Sequence, residues 1–419
     1  MTVLGKVQAG LNRKRYLQRS AELSQRTVEH MPKALRYQGL HAESLSLVGL
    51  LSVAEPSVNL LLPELRRDGL FAGIKTALEV GVAVALSRGV KLRLVVMNAP
   101  PSKSDIEYLC GKLAAEFGIS ISRIEVVPIH EMKNSGFSES DVWIATYWTT
   151  AHALDVAARL QLIDRRRVIY LIQDYEPLFL PASTDSALAS ATYHAGFVSL
   201  VNSTPLRAFL KERESLQVDA ARTFAPRLDH KLLEKAALER ESMSGSLRIL
   251  FYGRPSKPRN MFNLGVSALR SVAPELVKSG CHVTFRSIGE THRDIELSDG
   301  AVLRSVGKVS WGEYFKVLAS ADVLLSLQAS PHPSHPPLDA VASGGRSVTN
   351  EVAGTRAHLH PRLFAVNPDP DELCGAILEA RSQHEADRRA SGFDDAFMSS
   401  LGVNFDSAIA STVDQIGAS

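Results

Sequence analysis

Arg254, Lys257 and Arg259 crowd into one short run, Gly253-Arg254-Pro255-Ser256-Lys257-Pro258-Arg259-Asn260. The run follows Leu247 to Tyr252, which reads as a strand, and precedes Phe262 to Lys278, which reads as a helix. A cation cluster at a strand end and a helix start can hold a diphosphate. Guanidinium groups bond phosphate oxygens, and the first helix amides add partial positive charge. The competing reading is a solvated basic turn. Gly289-Glu290 and Gly307-Lys308 follow two further strand-like runs, His282 to Ile288 and Val302 to Val306. The spacing therefore predicts glycines and cations, Gly253, Arg254, Arg259, Gly289 and Lys308, gathered at one crevice, with Lys308 on a neighbouring strand end.

The stretch Ser330-Pro331-His332-Pro333-Ser334-His335-Pro336-Pro337-Leu338-Asp339 comes after the strand-like run Val323 to Leu327. Pro336 and Pro337 suit the first turn of a helix, which Gly344-Gly345 would end. Prolines lack amide protons, so only the amides of residues such as Ser334, His335, Leu338 and Asp339 could meet an anion there. His332 and His335 are two of the ligands a metal would need, and no carboxylate close in sequence completes the set. Hydrogen bonding to a sugar or phosphate is the expectation, and a purely structural turn is the alternative.

The elements that must position these groups alternate almost throughout, which predicts an α/β chain with parallel sheets. In the first half, strands are expected at Val58 to Leu62, Leu92 to Met97, Ile124 to Ile129, Asp141 to Thr146, Val168 to Gln173 and Phe197 to Val201. A helical run spans Ile74 to Ser87, behind Gly69 and Gly73. The small, polar stretch Ser242 to Ser246 reads as a linker. The expected divisions are an N-terminal basic arm and entry segment (residues 1–56), two Rossmann-like domains (57–241 and 242–400), and a C-terminal helix (401–419) crossing back onto the first domain. A length of 419 residues suits two cores. The 45% hydrophobic and 22% charged content excludes wholesale disorder.

Cys110, Cys281 and Cys374 are too scattered for a metal set or a disulfide framework, so a reducing compartment is expected. No apolar run has the length of a membrane span, and no signal-peptide pattern opens the chain; the expected location is the cytoplasm. Residues 1–40 carry eight basic residues against Glu22 and Glu29, which is +6, leaving −4 on the rest of a chain whose net charge is +2. Leu4, Val7, Leu11, Tyr16, Leu17 and Leu23 are interleaved with this charge. The segment reads either as a solvated helical arm or as a peripheral contact with an anionic membrane, at the inner face of the cytoplasmic membrane. The acidic body has no aromatic-basic platform for nucleic acid. No G-x-G-x-x-G follows a strand, which argues against a dinucleotide oxidoreductase.

The first-half strand ends carry Gly73, then Thr146-Tyr147-Trp148-Thr149-Thr150, then Asp174-Tyr175-Glu176, then Asn202-Ser203-Thr204. Aromatic rings beside hydroxyls and carboxylates suit a carbohydrate, so Gly73, Tyr147, Trp148 and Glu176 are the expected acceptor contacts. Tyr147 and Trp148 could equally cap the core. Asp174 is the candidate to take a hydroxyl proton or to steady positive charge on a sugar. For the two carboxylates, a helix N-cap or an ion pair is the plainer alternative.

Arg248-Ile249-Leu250-Phe251-Tyr252-Gly253-Arg254-Pro255, Gly307-Lys308 and the Ser330–Asp339 stretch together resemble the glycosyltransferase family 4-like proteins of the GT-B fold. Within them, they are most similar to the WsaF-type rhamnosyltransferases of bacterial surface-glycan assembly. Tyr170-Leu171-Ile172-Gln173-Asp174-Tyr175-Glu176-Pro177 and Gly73-Ile74-Lys75-Thr76-Ala77-Leu78 resemble the same group, so the likeness covers most of the chain beyond residue 57. It implies two Rossmann-like domains facing a central cleft, and transfer of L-rhamnose from dTDP-rhamnose to a glycan or lipid-linked glycan of a growing surface polysaccharide. It implies no cofactor and no metal. Arg254 and Arg259 match the pair that neutralises the donor diphosphate, with Lys308 beside them. Asp339 stands where the family usually has a Glu bonding the nucleotide ribose. The pattern has another Glu eight residues earlier; here that position is Pro331, and His332 is the expected partial substitute. A nucleotide-sugar epimerase, and a non-catalytic nucleotide- or glycan-binding protein that kept the fold, remain as alternatives.

Overall fold

A computed structural model describes residues 54–65, 72–97, 100–240, 246–298, 300–386 and 392–417. The basic arm, Gly69 and the linker up to Gly245 lie outside the described residues. Of the described residues, those up to Val201 together with those from Phe405 onward form one compact unit, and Asn202–Asn404 the other. By contacts the second unit begins at Asn202, while the strand Thr223–Phe224 is the seventh of the first sheet.

The first unit holds β1 (Ser57–Leu62), α1 (Ala72–Arg88), β2 (Lys91–Val96), α2 (Lys103–Phe117), β3 (Ile124–Pro128), β4 (Val142–Ala145), α3 (Trp148–Arg159), β5 (Val168–Ile172), α4 (Thr184–Thr192) and β6 (Val198–Asn202). Six strands of its seven-stranded sheet run in the order β3-β2-β1-β4-β5-β6, every one of these pairs parallel. Every residue of β1, β4 and β5 is buried, as sheets covered on both faces require. The C-terminal helix α12 (Phe405–Gly417) packs on α1 within this unit.

The second unit opens with α5 (Thr204–Glu214), the two-residue β7 (Thr223–Phe224) and α6 (His230–Glu239). There follow β8 (Ser246–Gly253), α7 (Phe262–Lys278), β9 (His282–Gly289), β10 (Ile295–Ser298), β11 (Ala301–Gly307), α8 (Trp311–Ala319), β12 (Val323–Leu325) and α9 (His335–Ala342). The unit continues with β13 (Arg346–Asn350), β14 (Leu363–Val366), α10 (Pro370–Ala386) and α11 (Asp395–Ser400). The sheet order is β10-β11-β9-β8-β12-β13-β14. One correction to the all-parallel expectation applies: β10 and β11 form an antiparallel hairpin at the edge.

Alternation along β8 divides the core of the second unit. Leu247, Ile249 and Phe251 face the cluster made by α7 and α10. Leu250 faces the cluster made by α6, α8, α9 and α11. Both faces are buried, so the free edges for chemistry are the strand ends.

Candidate functional site

In each unit the order of strands reverses at one place, between β1 and β4 in the first and between β8 and β12 in the second. Consecutive βα units leave such a point in opposite directions, and a crevice opens outside the carboxyl ends of the two strands. The chemistry-bearing residues fall at these ends.

In the second unit, Gly253 and Gly289 end neighbouring strands in register. The Glu290 N–H donates to the Gly253 carbonyl at 3.0 Å. Gly289 has φ 120°, and a Cβ there would lie 2.7 Å from that carbonyl; one at Gly253 would lie 2.6 Å from Ser287 Oγ. Only glycine fits at either place, because any side chain would run into these packed neighbours. Arg254 pairs with Glu290 (Nε to Oε1, 3.4 Å), and the Ser256 N–H and Oγ donate to the same carboxylate at 2.9 and 2.8 Å. Burial pushes the Glu290 carboxyl up, but the Ser256 bonds and the Arg254 charge outweigh it and hold it below its ordinary value. Arg254 therefore already has a carboxylate partner, which an arriving phosphate would have to match. Arg259 joins the next strand end through its main chain: the Ala329 N–H donates to its carbonyl at 2.7 Å.

The loop after β12 is tied down from β13. Asn350 takes the Gln328 N–H on Oδ1 at 2.8 Å and returns Nδ2 to the Gln328 carbonyl at 3.0 Å. The Arg356 guanidinium, wholly buried, donates to the carbonyls of Gln328, Ser330, His332 and Asn350. His332 and His335 stack with ring centroids 6.1 Å apart. Burial pushes His332 down to about 3, helped by the His335 and Arg356 charges; burial alone pushes His335 down to about 4. Both are neutral near pH 7. His332 Nδ1 accepts the Ser334 N–H at 3.0 Å, so the proton of the neutral ring sits on Nε2 and that edge is a donor. Ser334 caps α9 at φ 70°, ψ 153°, and Pro336 and Pro337 leave His335 as the one amide donor among the first three helix positions.

Three predicted donor residues sit differently from expectation. Lys308 is exposed at the end of β11, and β9 lies between that strand and β8, so it is not a neighbour of Arg254 but two strand spacings away, roughly 10 Å. The Leu338 side chain is 0% exposed and belongs to the core, so only its main chain could serve a ligand. Asp339 is 2% exposed and accepts the Tyr314 hydroxyl at 2.9 Å. Burial pushes its carboxyl up to about 8, and the Asp229 charge adds to this while the Tyr314 bond opposes it.

In the first unit, Thr146 Oγ1 bridges the reversal point by donating to the Leu61 carbonyl at 2.6 Å. Tyr147 is half-buried at the cap of α3. Trp148 is buried, with its indole Nε1 lacking a hydrogen-bond partner. Glu176 is also buried and accepts the Trp148 N–H at 2.5 Å; the carboxylate thus serves the start of α3, the plainer of its two readings. Asp174 is half-buried after β5, with Oδ1 accepting the Tyr175 N–H at 2.9 Å and its carbonyl accepting the Tyr193 hydroxyl at 3.2 Å. Gly73 begins α1 exposed, its carbonyl bonded by Gln173 Nε2 at 3.0 Å. Gly73, Tyr147, Trp148, Asp174 and Glu176 are therefore all on the strand-end side of this sheet. Among the described residues no group of three or more His, Cys, Asp or Glu could hold a metal ion, and no helix is long and apolar enough to cross a membrane.

Sequence reasoning missed Glu290 as the partner of Arg254, and missed Asn350 and Arg356 altogether. Asn350-Glu351 at the end of β13 was the available signal, since polar residues at a strand end face the crevice.

Residues 57–204 match the N-terminal domain of WsaF and residues 247–378 its C-terminal domain, together more than half of the chain. The O-antigen biosynthesis protein RfbC of Myxococcus xanthus is 29% identical over 316 residues, 74% of this chain. The chain spans only 23% of that protein's length. Among solved structures, sucrose-phosphate synthase from Thermosynechococcus elongatus aligns over 87% of this chain and 94% of its own, at 12% identity and a TM-score of 0.50. The N-terminal domain of Candida albicans trehalose-6-phosphate phosphatase aligns over 88% and 97%, at 11% identity and a TM-score of 0.53. At such identities the likeness is one of fold, and it is the GT-B fold of two Rossmann-like units. With both domains matched and that fold in place, the chain belongs to the WsaF family.

Proposed function

We propose that the chain is a glycosyltransferase of bacterial surface-polysaccharide assembly, moving L-rhamnose from dTDP-rhamnose to a glycan or lipid-linked glycan acceptor. The observation that carries this reading is the second unit's reversal point. There Gly253 and Gly289, the two arginines Arg254 and Arg259, and His332 belong to one sheet end. Such a set suits a diphosphate and the sugar attached to it. Membership in the WsaF family supports it, as does the likeness to RfbC, an O-antigen biosynthesis protein.

In this reading the acceptor hydroxyl bonds to the sugar C1 as the bond from C1 to the diphosphate oxygen breaks. Asp174 takes the hydroxyl proton, and the departing diphosphate keeps the electron pair against Arg254 and Arg259. Gly73, Tyr147 and Trp148 border the acceptor, and residues 1–40 touch the anionic membrane surface. Cationic side chains do the work of a metal, so transfer proceeds without one. The test is transfer of labelled rhamnose from dTDP-rhamnose to a rhamnose-terminated acceptor, with EDTA present and without it. No transfer from any of a panel of nucleotide-sugars would sink the enzymatic reading, and transfer abolished by EDTA and restored by a divalent ion would sink the metal-free one.

A second reading, a non-catalytic nucleotide-binding protein, draws on Pro331 in the place of the family's usual Glu and on the burial of Asp339 against Tyr314. It is favoured if dTDP binds while no nucleotide-sugar is transferred or hydrolysed.

A further inference from the structure

We infer that Arg356 is a positioning residue for the donor site: its guanidinium holds the loop from Gln328 to Ser334 in its ligand-ready shape, and so fixes where His332 meets the donor. This rests on the donor-site reading above. The bonds are the argument. Arg356 donates through Nη2 to the carbonyls of Gln328 (3.2 Å), Ser330 and His332 (3.1 Å), and through Nη1 to that of Asn350.

The chain bends through residues 329–332, so the carbonyls of Gln328, Ser330 and His332 converge on one nitrogen of the guanidinium instead of lining a strand edge. Between them stands Pro331, and Pro333 follows, neither with an N–H to give a strand partner. The segment cannot complete an ordinary ladder, and buried carbonyls left without donors would be costly. The two terminal nitrogens of one planar guanidinium supply the missing donors from a single residue, which neither lysine nor glutamine can do.

The position of the guanidinium is itself set. The Glu351 carboxylate accepts the N–H groups of Val352 (2.6 Å), Arg356 (3.3 Å) and Ala357 (2.6 Å), folding residues 351–357 around it. The chain from Arg356 to ligand then has two links. The first is the His332 carbonyl. The second is the His332 ring, whose orientation is set by the bond from the Ser334 amide to Nδ1. A cation buried beneath a loop that receives a diphosphate also adds favourable potential, stronger for being out of water.

The test uses the full chain with Arg356→Met, Arg356→Lys and Arg356→Ala. In the absence of nucleotide, amide hydrogen exchange should quicken at residues 328–335 in Arg356→Met, while β8 and β9 keep their protection. The affinity for dTDP should fall about tenfold to a hundredfold, the loss expected for charge-assisted hydrogen bonds. Arg356→Lys should recover little of it, because the charge returns without the fork. Millimolar guanidinium, but not ammonium, should restore dTDP binding to Arg356→Ala by refilling the vacated space. Unchanged loop exchange and unchanged dTDP affinity in Arg356→Met would overturn the inference. So would a loss of protection across the whole second unit that guanidinium leaves unrepaired, which is the mark of a fold brace only. If the wild-type protein binds no nucleoside diphosphate, the donor-site reading fails. Faster exchange confined to the loop would then still show that Arg356 holds it.

Discussion

A carboxyl group shut away on α9, bonded to Tyr314 and facing the charge of Asp229, gives up its proton late. The Asp339 pKa rises from the ordinary 3.8 to about 8 on folding. Between those values the folded chain holds a proton that the unfolded chain has lost, so this residue's contribution to stability is full below 3.8 and drains away as pH rises through 8. In Asp339→Asn that slope should vanish. Denaturant midpoints of the unliganded proteins, read from pH 5 to 9, should fall more steeply for wild type than for the variant; parallel curves would show that Asp339 is ionised when folded. The same variant reports on the ribose contact: weaker dTDP binding at pH 7 supports it, and unchanged affinity removes it. The two arginines and Lys308 also part company at this scale. Arg254 sits at the reversal point, whereas Lys308 stands exposed with β9 between its strand and β8. Arg254→Ala should weaken dTDP binding by about 1.5–3 kcal/mol. Lys308→Ala should cost less than about 1 kcal/mol and mainly soften the salt dependence, as an exposed charge does. Equal losses measured by calorimetry would contradict the order of strands as the cause.

At the scale of elements, the start of α9 stores strain in a residue that gains nothing from its side chain. Ser334 holds φ 70° with extended ψ, a region favouring glycine, and its hydroxyl makes no capping bond. Ser334→Gly keeps the amide that bonds His332 Nδ1 and should stabilise the second unit by about 0.5–1 kcal/mol. A lower denaturant midpoint would mean that the serine side chain holds the turn after all. Nearly every central strand was legible in the sequence, because strands buried on both faces are continuous apolar runs such as Leu60-Leu61-Leu62 and Val168 to Ile172. The edges were not. β10, Ile295–Ser298, is half polar and its hairpin was announced only by Asp299-Gly300, a turn signal that the alternating helix pattern obscured. The donor loop was singled out for its prolines and histidines, but not the arginine that holds it. A lone Arg356 after Gly354-Thr355 carries no sign of burial, since burial of a cation depends on carbonyls far along the chain.

Across the whole chain, the count of two cores was readable from length and from the restart of the strand pattern, and the place where one gives way to the other was not. The small residues 242–246 look like a linker, yet by contacts the second unit already begins at Asn202. An amphipathic helix such as α6 declares that it must bury a face without saying against what. Its Leu233 and Ala236, with Leu228 ahead of it, pack into the cluster that contains Leu318, Leu324 and Leu338. Just beyond α6, Arg240 donates to the Ser343 carbonyl at 2.6 Å and the Ala321 carbonyl at 2.8 Å, securing the end of α9 and the turn before β12. A fragment of residues 226–404 keeps all of this and should unfold cooperatively and bind dTDP. A fragment of residues 246–404 would uncover the Leu318, Leu324 and Leu338 face and leave those carbonyls without their donor. Two leucines and an alanine leaving a core cost about 3–6 kcal/mol. A domain of ordinary stability, about 5–15 kcal/mol, has little left after such a loss. The shorter fragment should therefore aggregate or melt far below the longer one, and should not hold nucleotide at 25 °C. Equal denaturant midpoints and equal dTDP affinities for the two fragments would show that α6 is not part of the donor unit.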